Sequence, residues 1–138
     1  MKEIITKASA GWLQIKISRY KLIASYLTDA PQDIMNALTR YLKTKEPQIV
    51  YLNLEDAGDS YIVFDWHTFI INRNDEVKRF GYKYDTYEIA QQVYEDMTKH
   101  KEEIIQEFYL PDGHNIDKKK FNKSLKELGK AIRRFKQW

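Results

Sequence analysis

The chain has 138 residues and a net charge of +3, with 43% apolar residues, 31% charged residues and no cysteine. This size and balance fit one globular domain that buries its own core, and they exclude an intrinsically disordered chain. The missing cysteine excludes disulfides, thiolate catalysis and cysteine-ligated zinc. Because the segment after Met1 lacks the apolar core of a signal peptide and no apolar run approaches about 20 residues, we expect a cytoplasmic protein without a membrane span.

The first predicted elements are strands. Leu13, Ile15 and Ile17 alternate with polar residues, and residues 20–27 are also extended in character. Since neither Gly nor Pro interrupts Ser18-Arg19, the pattern allows either one long bent strand or a tight hairpin.

A first helix is predicted after Asp29, which suits the N-cap position, with Pro31 in a first turn where a missing N–H costs little. Pro47 is expected to stop this helix. Strands follow over residues 49–54 and 61–66, and a polar segment from Glu55 to Asp59 between them is typical of a hairpin loop. Residues 68–72 and 77–82 complete a predicted β-meander.

Two further helices are predicted after the meander. Asp85 is placed to cap the first of them, with Glu88 in a capping-box position, and the helix is expected to reach Phe108. The last segment, 117–138, contains nine basic and two acidic residues, a net charge of +7, whereas residues 1–116 contain fourteen basic and eighteen acidic residues, a net charge of −4. Its apolar residues recur at steps of four, three, four and three, which predicts a basic amphipathic helix; they are Phe121, Leu125, Leu128, Ile132 and Phe135.

This order of elements, β-β-α, then a β-meander, then α-α, predicts an α+β fold with a mostly antiparallel sheet and the helices packed on one face. We expect a single domain over residues 1–138, with the basic helix at 117–138.

Two histidines lie near acidic residues. His100 falls on the apolar face of the second predicted helix, where an acid one turn away suits metal binding or proton transfer, but no second histidine or carboxylate pair shares that face. A packed histidine at the rim of the core is therefore favoured. Asp65 and His67 share one side of an extended strand, but none of the serines lies in a nucleophile elbow, so a surface hydrogen bond or an interface pair is favoured over a catalytic triad.

Two acidic groups were weighed as metal ligands. Glu55, Asp56 and Asp59 lie in one loop, but EF-hand spacing is absent and turn acids are usually solvated. Asp65 with Glu76 and Lys78 matches the loose spacing of metal-dependent nucleases, although a turn precedes Glu76 where the chemistry requires a supporting strand. The five glycines are scattered, so no phosphate-binding loop is present, and we predict no cofactor.

The basic helix has several possible roles. A solvated basic face on a helix docked to its own acidic domain is favoured. Nucleic-acid binding is the next alternative; it would use Lys118, Lys119, Lys120, Lys123, Arg133 and Arg134. Binding to a membrane surface is disfavoured because the apolar stripe is narrow and needed by the core. A protein partner completes the alternatives, and Trp138 would then close the helix end or enter an interface.

Parts of the chain resemble a known group of proteins. The residues that carry the resemblance are the segment 24–30 (Ala-Ser-Tyr-Leu-Thr-Asp-Ala), the amphipathic helix after it, and the acidic hairpin followed by residues 61–66 (Tyr-Ile-Val-Phe-Asp-Trp). They resemble small uncharacterised bacterial cytosolic proteins, some of them immunity proteins of toxin systems. The resemblance covers about a third of the chain and implies a compact domain that works by binding.

The leading hypothesis is therefore a non-enzymatic protein-binding module, plausibly one that neutralises a toxin. We expect the partner to contact aromatic and acidic residues of the meander; these are Tyr61, Asp65, Trp66 and His67, with Glu55, Asp56 and Asp59 of the acidic loop. A nucleic-acid-binding module is the second hypothesis and a metal-dependent hydrolase the third. The sequence leaves the oligomeric state open.

Overall fold

The computed structural model describes residues 1–73, 76–79, 85–109 and 112–135. This part of the chain forms four α-helices and two antiparallel sheets, which confirms the predicted α+β class. In chain order the elements are β1 (Ile5–Ser9), β2 (Trp12–Ile17), β3 (Tyr20–Ala24), α1 (Ala30–Thr44), β4 (Gln48–Asn53), β5 (Asp59–Phe64), β6 (Thr68–Asn72), β7 (Val77–Arg79), α2 (Thr86–Lys99), α3 (Lys101–Glu107) and α4 (Lys118–Arg134).

The first sheet has the strand order β1-β2-β3. Strands β2 and β3 are joined by a tight hairpin at Ser18-Arg19 and do not form one long bent strand. Ser18 adopts a φ of 56° in this hairpin. Strand β1 was not predicted. Its sequence, ITKAS, alternates only weakly in hydrophobicity, and a turn at Ala10-Gly11 returns it onto β2. The predicted β-β start is therefore corrected to β-β-β.

A buried carboxylate from α2 holds the start of β1. Asp96 is 2% exposed, and its Oδ2 accepts hydrogen bonds from the backbone N–H groups of Ile4 at 2.6 Å and Ile5 at 3.0 Å. Its Oδ1 accepts a bond from the Gln92 amide at 2.8 Å. Burial raises the pKa of Asp96 above its ordinary value, and the hydrogen bonds oppose this shift only in part. Asp96 thus links two segments that lie far apart in the sequence.

Helix α1 forms as predicted. The Asp29 carboxylate accepts a hydrogen bond from the Gln32 N–H at 3.3 Å, and Pro31 lies in the first turn. The helix ends at Thr44, and Lys45 adopts a left-handed conformation two residues before Pro47. The apolar face of α1 packs against β4, so the helix covers the inner side of the second sheet.

The second sheet is the predicted meander, with strand order β4-β5-β6-β7 and every neighbouring pair antiparallel. A short 3₁₀ turn, Glu55–Ala57, closes the hairpin between β4 and β5. The last strand is described over Val77–Arg79, and the remainder of the predicted strand, residues 80–82, lies outside the described residues.

The single helix predicted from Asp85 to Phe108 is corrected to two helices, because His100 departs from helical geometry with a ψ of 13°. Asp85 caps α2 as predicted, accepting a bond from the Glu88 N–H at 2.8 Å. The half-buried His100 ring lies between two carboxylates, 3.1 Å from Glu3 Oε1 and 3.2 Å from Glu103 Oε2. The histidine is thus at the rim of the core, as predicted, and the contact with Glu3 ties the chain before β1 to the helix junction.

The basic segment forms α4, whose predicted apolar stripe packs against α1 and α2. Phe121 and Leu128 are fully buried, and Phe135 follows the helix end with its ring stacked 5.0 Å from that of Tyr87. A Cβ at Gly129 would lie 2.9 Å from the Tyr94 ring, so the glycine allows α2 and α4 to approach closely. Trp138 lies outside the described residues.

Candidate functional site

One face of the four-stranded sheet packs on the core, and the opposite face carries several exposed apolar side chains together with Val63, which is 6% exposed. The inner side chains, among them Val50, Leu52, Ile62, Phe64 and Ile70, belong to the hydrophobic core. We define the outer face by the side chains that strand alternation places on the opposite side; they are Ile49, Tyr51, Tyr61, Val63, Phe69, Ile71, Val77 and Arg79.

Strand pairing arranges the outer face in two rows across all four strands. One row is Ile49, Val63, Phe69 and Arg79, and the other is Tyr51, Tyr61, Ile71 and Val77. Several apolar side chains of this face are exposed to solvent: Ile49 is 66%, Val77 42% and Tyr61 40% exposed. Four of the eight large apolar side chains that are exposed in the described residues lie on this face. Contiguous exposed apolar surface of this kind is typical of interaction sites.

Local contacts order the two tyrosines at one end of the outer face. The rings of Tyr51 and Tyr61 lie 5.4 Å apart, and the Tyr51 hydroxyl donates a hydrogen bond to Asp59 Oδ1 at 2.7 Å. This bond raises the pKa of Tyr51 above its ordinary value. The Tyr51 ring is thus held in place on the surface, with the Tyr61 ring packed beside it.

The acidic loop borders the same end of the outer face. Glu55 and Asp56 are exposed, and neither carboxylate has an ion-pair partner among the described residues. Asp59 is half-buried and engaged with Tyr51. The loop therefore offers two free negative charges at the rim of an aromatic surface.

The second part of the predicted partner site, Asp65 to His67, lies at the opposite end of the sheet. Asp65 and Trp66 form a bend rather than an extended strand, so the predicted alternation of Asp65 with His67 is not present, and the Asp65 carboxylate accepts a bond from the Trp66 N–H at 2.8 Å. Trp66 is 68% exposed and stacks on the His67 ring at 5.2 Å. The Thr86 N–H donates to the Trp66 carbonyl at 2.9 Å, which fixes the bend against the start of α2.

The predicted contacts thus divide into two groups at the two ends of β5. Asp59 begins the strand and Asp65 follows it, a separation of about 20 Å at the rise of an extended chain. Tyr61 lies between them on the outer face. This spacing is too wide for one small ligand and suits a protein surface.

The hydrolase arrangement is corrected by the same geometry. Glu76 lies beside Asn72, whose partner across β5 is Ser60, while Asp65 lies beyond the Phe64–Thr68 pair at the other end of the sheet. The two acids are therefore about five strand residues, roughly 17 Å, apart. Glu76 instead forms an ion pair with Lys78. In the described parts of the chain, no group of three His, Asp or Glu side chains is placed to hold a metal ion.

The predicted nucleic-acid residues lie on the solvent side of α4 and are exposed; they are Lys118, Lys119, Lys120, Lys123, Arg133 and Arg134. Lys126 and Lys130, which the sequence reasoning omitted, complete a row with Lys119, Lys123 and Arg133 at steps of four, three, four and three. From Lys119 to Arg133 this row extends about 21 Å along the helix. Glu127 is the one acid of the helix, and it is shared by Lys43 and Lys130, each at 3.8 Å.

A cleft of about 850 Å³ opens between the two sheets. Its walls include Trp12 and Tyr20 from the first sheet and Arg73 after β6. At its floor, the Asn72 Oδ1 accepts bonds from the Tyr20 hydroxyl at 2.7 Å and the Ser60 hydroxyl at 2.8 Å. Because the bond from Tyr20 runs from the first sheet to the second, we assign it to holding the sheets together, while the bond from Ser60 lies within the second sheet.

Most residues of the outer face were not predicted as partner contacts, although the sequence of the strands indicates this face. Residues 61–64 and 69–71 are apolar or aromatic at consecutive positions, whereas a strand with one solvated face alternates. Strands without alternation are typical of sheets covered on both faces, and here only one face is covered by described residues.

No described helix is both long enough and apolar enough to cross a bilayer. Comparisons of the chain with protein-family models, with curated proteins and with solved structures found no match.

Proposed function

We propose that this protein is a non-enzymatic protein-binding module whose partner docks on the outer face of the four-stranded sheet. The observation that carries the proposal is the apolar, aromatic character of this face, with Ile49, Tyr61 and Val77 exposed in two regular rows. Burying such side chains against a partner is favourable by about 25 cal/mol for each Å² of apolar surface removed from water.

The rim of the face indicates the chemistry of the partner. Glu55 and Asp56 place two unpaired carboxylates beside the tyrosines, and Trp66 supplies a large exposed ring at the other end. Aromatic anchors within a charged rim are typical of tight protein interfaces. A partner with an apolar patch bordered by basic residues fits best, and a basic toxin neutralised by an immunity protein is such a partner, in keeping with the resemblance of residues 24–30 and 61–66.

We expect the double substitution Tyr61→Ser/Trp66→Ser to weaken partner binding at least about 30-fold, because exposed aromatic anchors carry a large share of interface energy. The experiment is affinity capture from cells of the source organism, followed by calorimetric titration of the captured protein. The matched control is Ile23→Ser/Leu27→Ser, which removes two similarly exposed apolar side chains from other surfaces.

A protein retained by the wild type and the control, and lost by the Tyr61/Trp66 variant, would support the proposal. Equal retention by all three would contradict it. The toxin assignment has its own test, since co-expression of the wild type should restore growth to cells that express the captured protein, and the Tyr61/Trp66 variant should not.

A second candidate function is nucleic-acid binding through α4. It is favoured by the row of exposed cations from Lys119 to Arg133, most of which have no ion-pair partner among the described residues. Neutralising phosphates with such a row releases counterions and makes binding strongly dependent on salt. The apolar stripe of α4 is buried against α1 and α2, so this face of the helix is not available to enter a membrane.

For this candidate, we expect Arg133→Gln/Arg134→Gln to reduce the slope of log affinity against log salt concentration by about 2 on duplex DNA, since each phosphate contact contributes about 0.9. The control, Lys7→Gln/Lys16→Gln, removes the same charge from exposed positions of the first sheet and should leave the slope unchanged. If the wild type is not retained on heparin at about 0.15 M salt, nucleic-acid binding is excluded.

A further inference from the structure

The edge of the four-stranded sheet at β4 faces a groove. Strand β4 pairs with β5 on one side, and on its other side a groove of about 220 Å³ separates it from α1. The groove is lined by Gln48 to Tyr51 on the strand side and by Asp33 and Arg40 on the helix side. An open strand edge of this kind is a template for pairing with another strand.

The direction of the β4 backbone groups follows from two hydrogen bonds. The Asn53 carbonyl accepts a bond from the Ser25 N–H at 2.8 Å, on the side away from β5, whereas the Leu54 N–H donates across the hairpin to Gly58. Because backbone groups alternate sides along a strand, Ile49 and Tyr51 point to the same side as Asn53. Their two N–H and two C=O groups therefore face the groove, and among the described residues none of the four has a hydrogen-bond partner.

The open edge is limited at both ends. Pro47 has no N–H to donate, and the Asn53 carbonyl is already engaged by Ser25. Ile49 and Tyr51 are therefore the residues of this edge that offer an incoming antiparallel strand both an open N–H and an open C=O. A strand that also presents two open residues would satisfy all four groups and leave none of its own unpaired.

We infer that the occupant of this edge is a second copy of the chain, paired antiparallel about a twofold axis at Val50, with Ile49 opposite Tyr51 of the second copy. This register forms four backbone hydrogen bonds and pairs all four groups of Ile49 and Tyr51. The neighbouring registers fail, because pairing Ile49 with itself places Tyr51 opposite Pro47, and pairing Tyr51 with itself places Ile49 opposite the engaged Asn53.

Side chains on both sides of the sheet complement this pairing. On the outer face, Ile49 would lie beside the Tyr51 ring of the second copy, an aliphatic–aromatic cross-strand pair that covers the most exposed aliphatic residue of the sheet. On the helix side, Asp33 and Arg40 line the groove seven residues apart, about 10 Å along α1. The twofold axis brings Asp33 of one copy toward Arg40 of the other.

The charges in the groove are available for this contact. Neither Asp33 nor Arg40 has an ion-pair partner among the described residues. Partial burial, with the nearby Asp29 charge, raises the pKa of Asp33, and an approaching guanidinium would offset both effects. A foreign strand would need its own matching pair of charges, whereas a second copy has them by symmetry.

The absence of cysteine allows a direct test of the register. Ile49→Cys and Tyr51→Cys are prepared separately and oxidised alone and as an equimolar mixture. In the inferred register, residues 49 and 51 of the two copies lie about 5.5 Å apart between Cα atoms, within disulfide range, whereas like residues are separated by about 8–9 Å. We expect a disulfide-linked dimer in the mixture and at least about fivefold less in either variant alone.

Two solution measurements complete the test. Sedimentation of the wild-type chain should show a monomer–dimer equilibrium, and amide hydrogen exchange at Ile49 and Tyr51 should slow as protein concentration rises. Arg40→Asp should weaken the dimer about tenfold by placing like charges together, and Asp33→Arg/Arg40→Asp should restore it. Circular dichroism confirms that each variant is folded.

A chain that remains monomeric up to about 1 mM would overturn the inference, as would cross-linking that is equal in the mixture and in the single variants. A dimer in which exchange at Ile49 and Tyr51 stays fast would also overturn it. The inference does not rest on the proposed function, and the two can fail separately. Substitution of Tyr61 and Trp66 can abolish partner capture while the dimer persists, and a chain that stays monomeric can still capture its partner.

Discussion

Asp96→Ala is expected to lower the free energy of unfolding by about 3 kcal/mol, because it leaves two buried backbone donors without an acceptor. These donors are the N–H groups of Ile4 and Ile5, and the carboxylate that they contact is itself buried. Urea denaturation followed by circular dichroism measures the loss. An effect below about 1 kcal/mol would mean that β1 is held without this carboxylate.

Asp96→Asn is the matched control, since the amide keeps an acceptor for Ile4 and Ile5 and places its NH₂ group toward the Gln92 amide, which can rotate to accept. We expect a cost within about 1 kcal/mol at neutral pH. Because burial raises the folded-state pKa of Asp96 above the ordinary aspartate value of 3.8, its contribution to stability is fully present below that pH. The contribution is lost as pH rises through the folded-state pKa.

The sign of this pH effect is open to measurement. The unfolding free energy of the wild type minus that of Asp96→Asn should fall as pH rises from 3.8 and then become constant. Other carboxylates are common to both proteins and cancel in this difference. A difference that instead rises with pH would show that the hydrogen bonds from Ile4 and Ile5 outweigh burial in setting the pKa of Asp96.

Phe121→Ala is expected to destabilise the protein by about 3–5 kcal/mol, because it opens a cavity where α4 packs on the rest of the core. Phe121 is fully buried, and its neighbour Lys123 is exposed on the same helix. Lys123→Ala is therefore the matched control and should change stability by less than about 0.5 kcal/mol. Equal effects of the two substitutions in thermal and urea unfolding would contradict the packing of α4 through its apolar stripe.

The fold was predictable wherever local signals decide structure. Asp29 and Asp85 cap their helices through their own neighbours, and the stripe from Phe121 to Ile132 follows from helical periodicity. Strand β1 was not predicted because the backbone at its start is bound by Asp96, a residue distant in the sequence that no local sequence pattern relates to the strand. The break at His100 escaped prediction for the same reason, since one of the two carboxylates at its ring, Glu3, comes from the chain before β1.

The candidate site was predictable in part. The sequence predicts Tyr61 and the acidic loop as contacts of the meander, and the structure places Tyr61 on the outer face and the loop at its rim. Asp65 and His67 were placed on one side of a strand, whereas Asp65 lies in a bend. The open edge at Ile49 could not be predicted from the sequence. The side to which its N–H and C=O groups point is shown by the bond between Ser25 and Asn53, two residues that lie on either side of α1 in the sequence.

The carboxylate of Asp96 also has a consequence for synthesis on the ribosome. Its contact with Ile4 joins residues 92 positions apart. The Gly11 N–H likewise donates a hydrogen bond at 2.7 Å to the carbonyl of Glu107, which is translated much later. The nascent hairpin of β1 and β2 must therefore emerge long before the segment that anchors it is translated. During that interval the meander and α1 can assemble from neighbouring residues, so a segment that is translated before them becomes stably anchored after them.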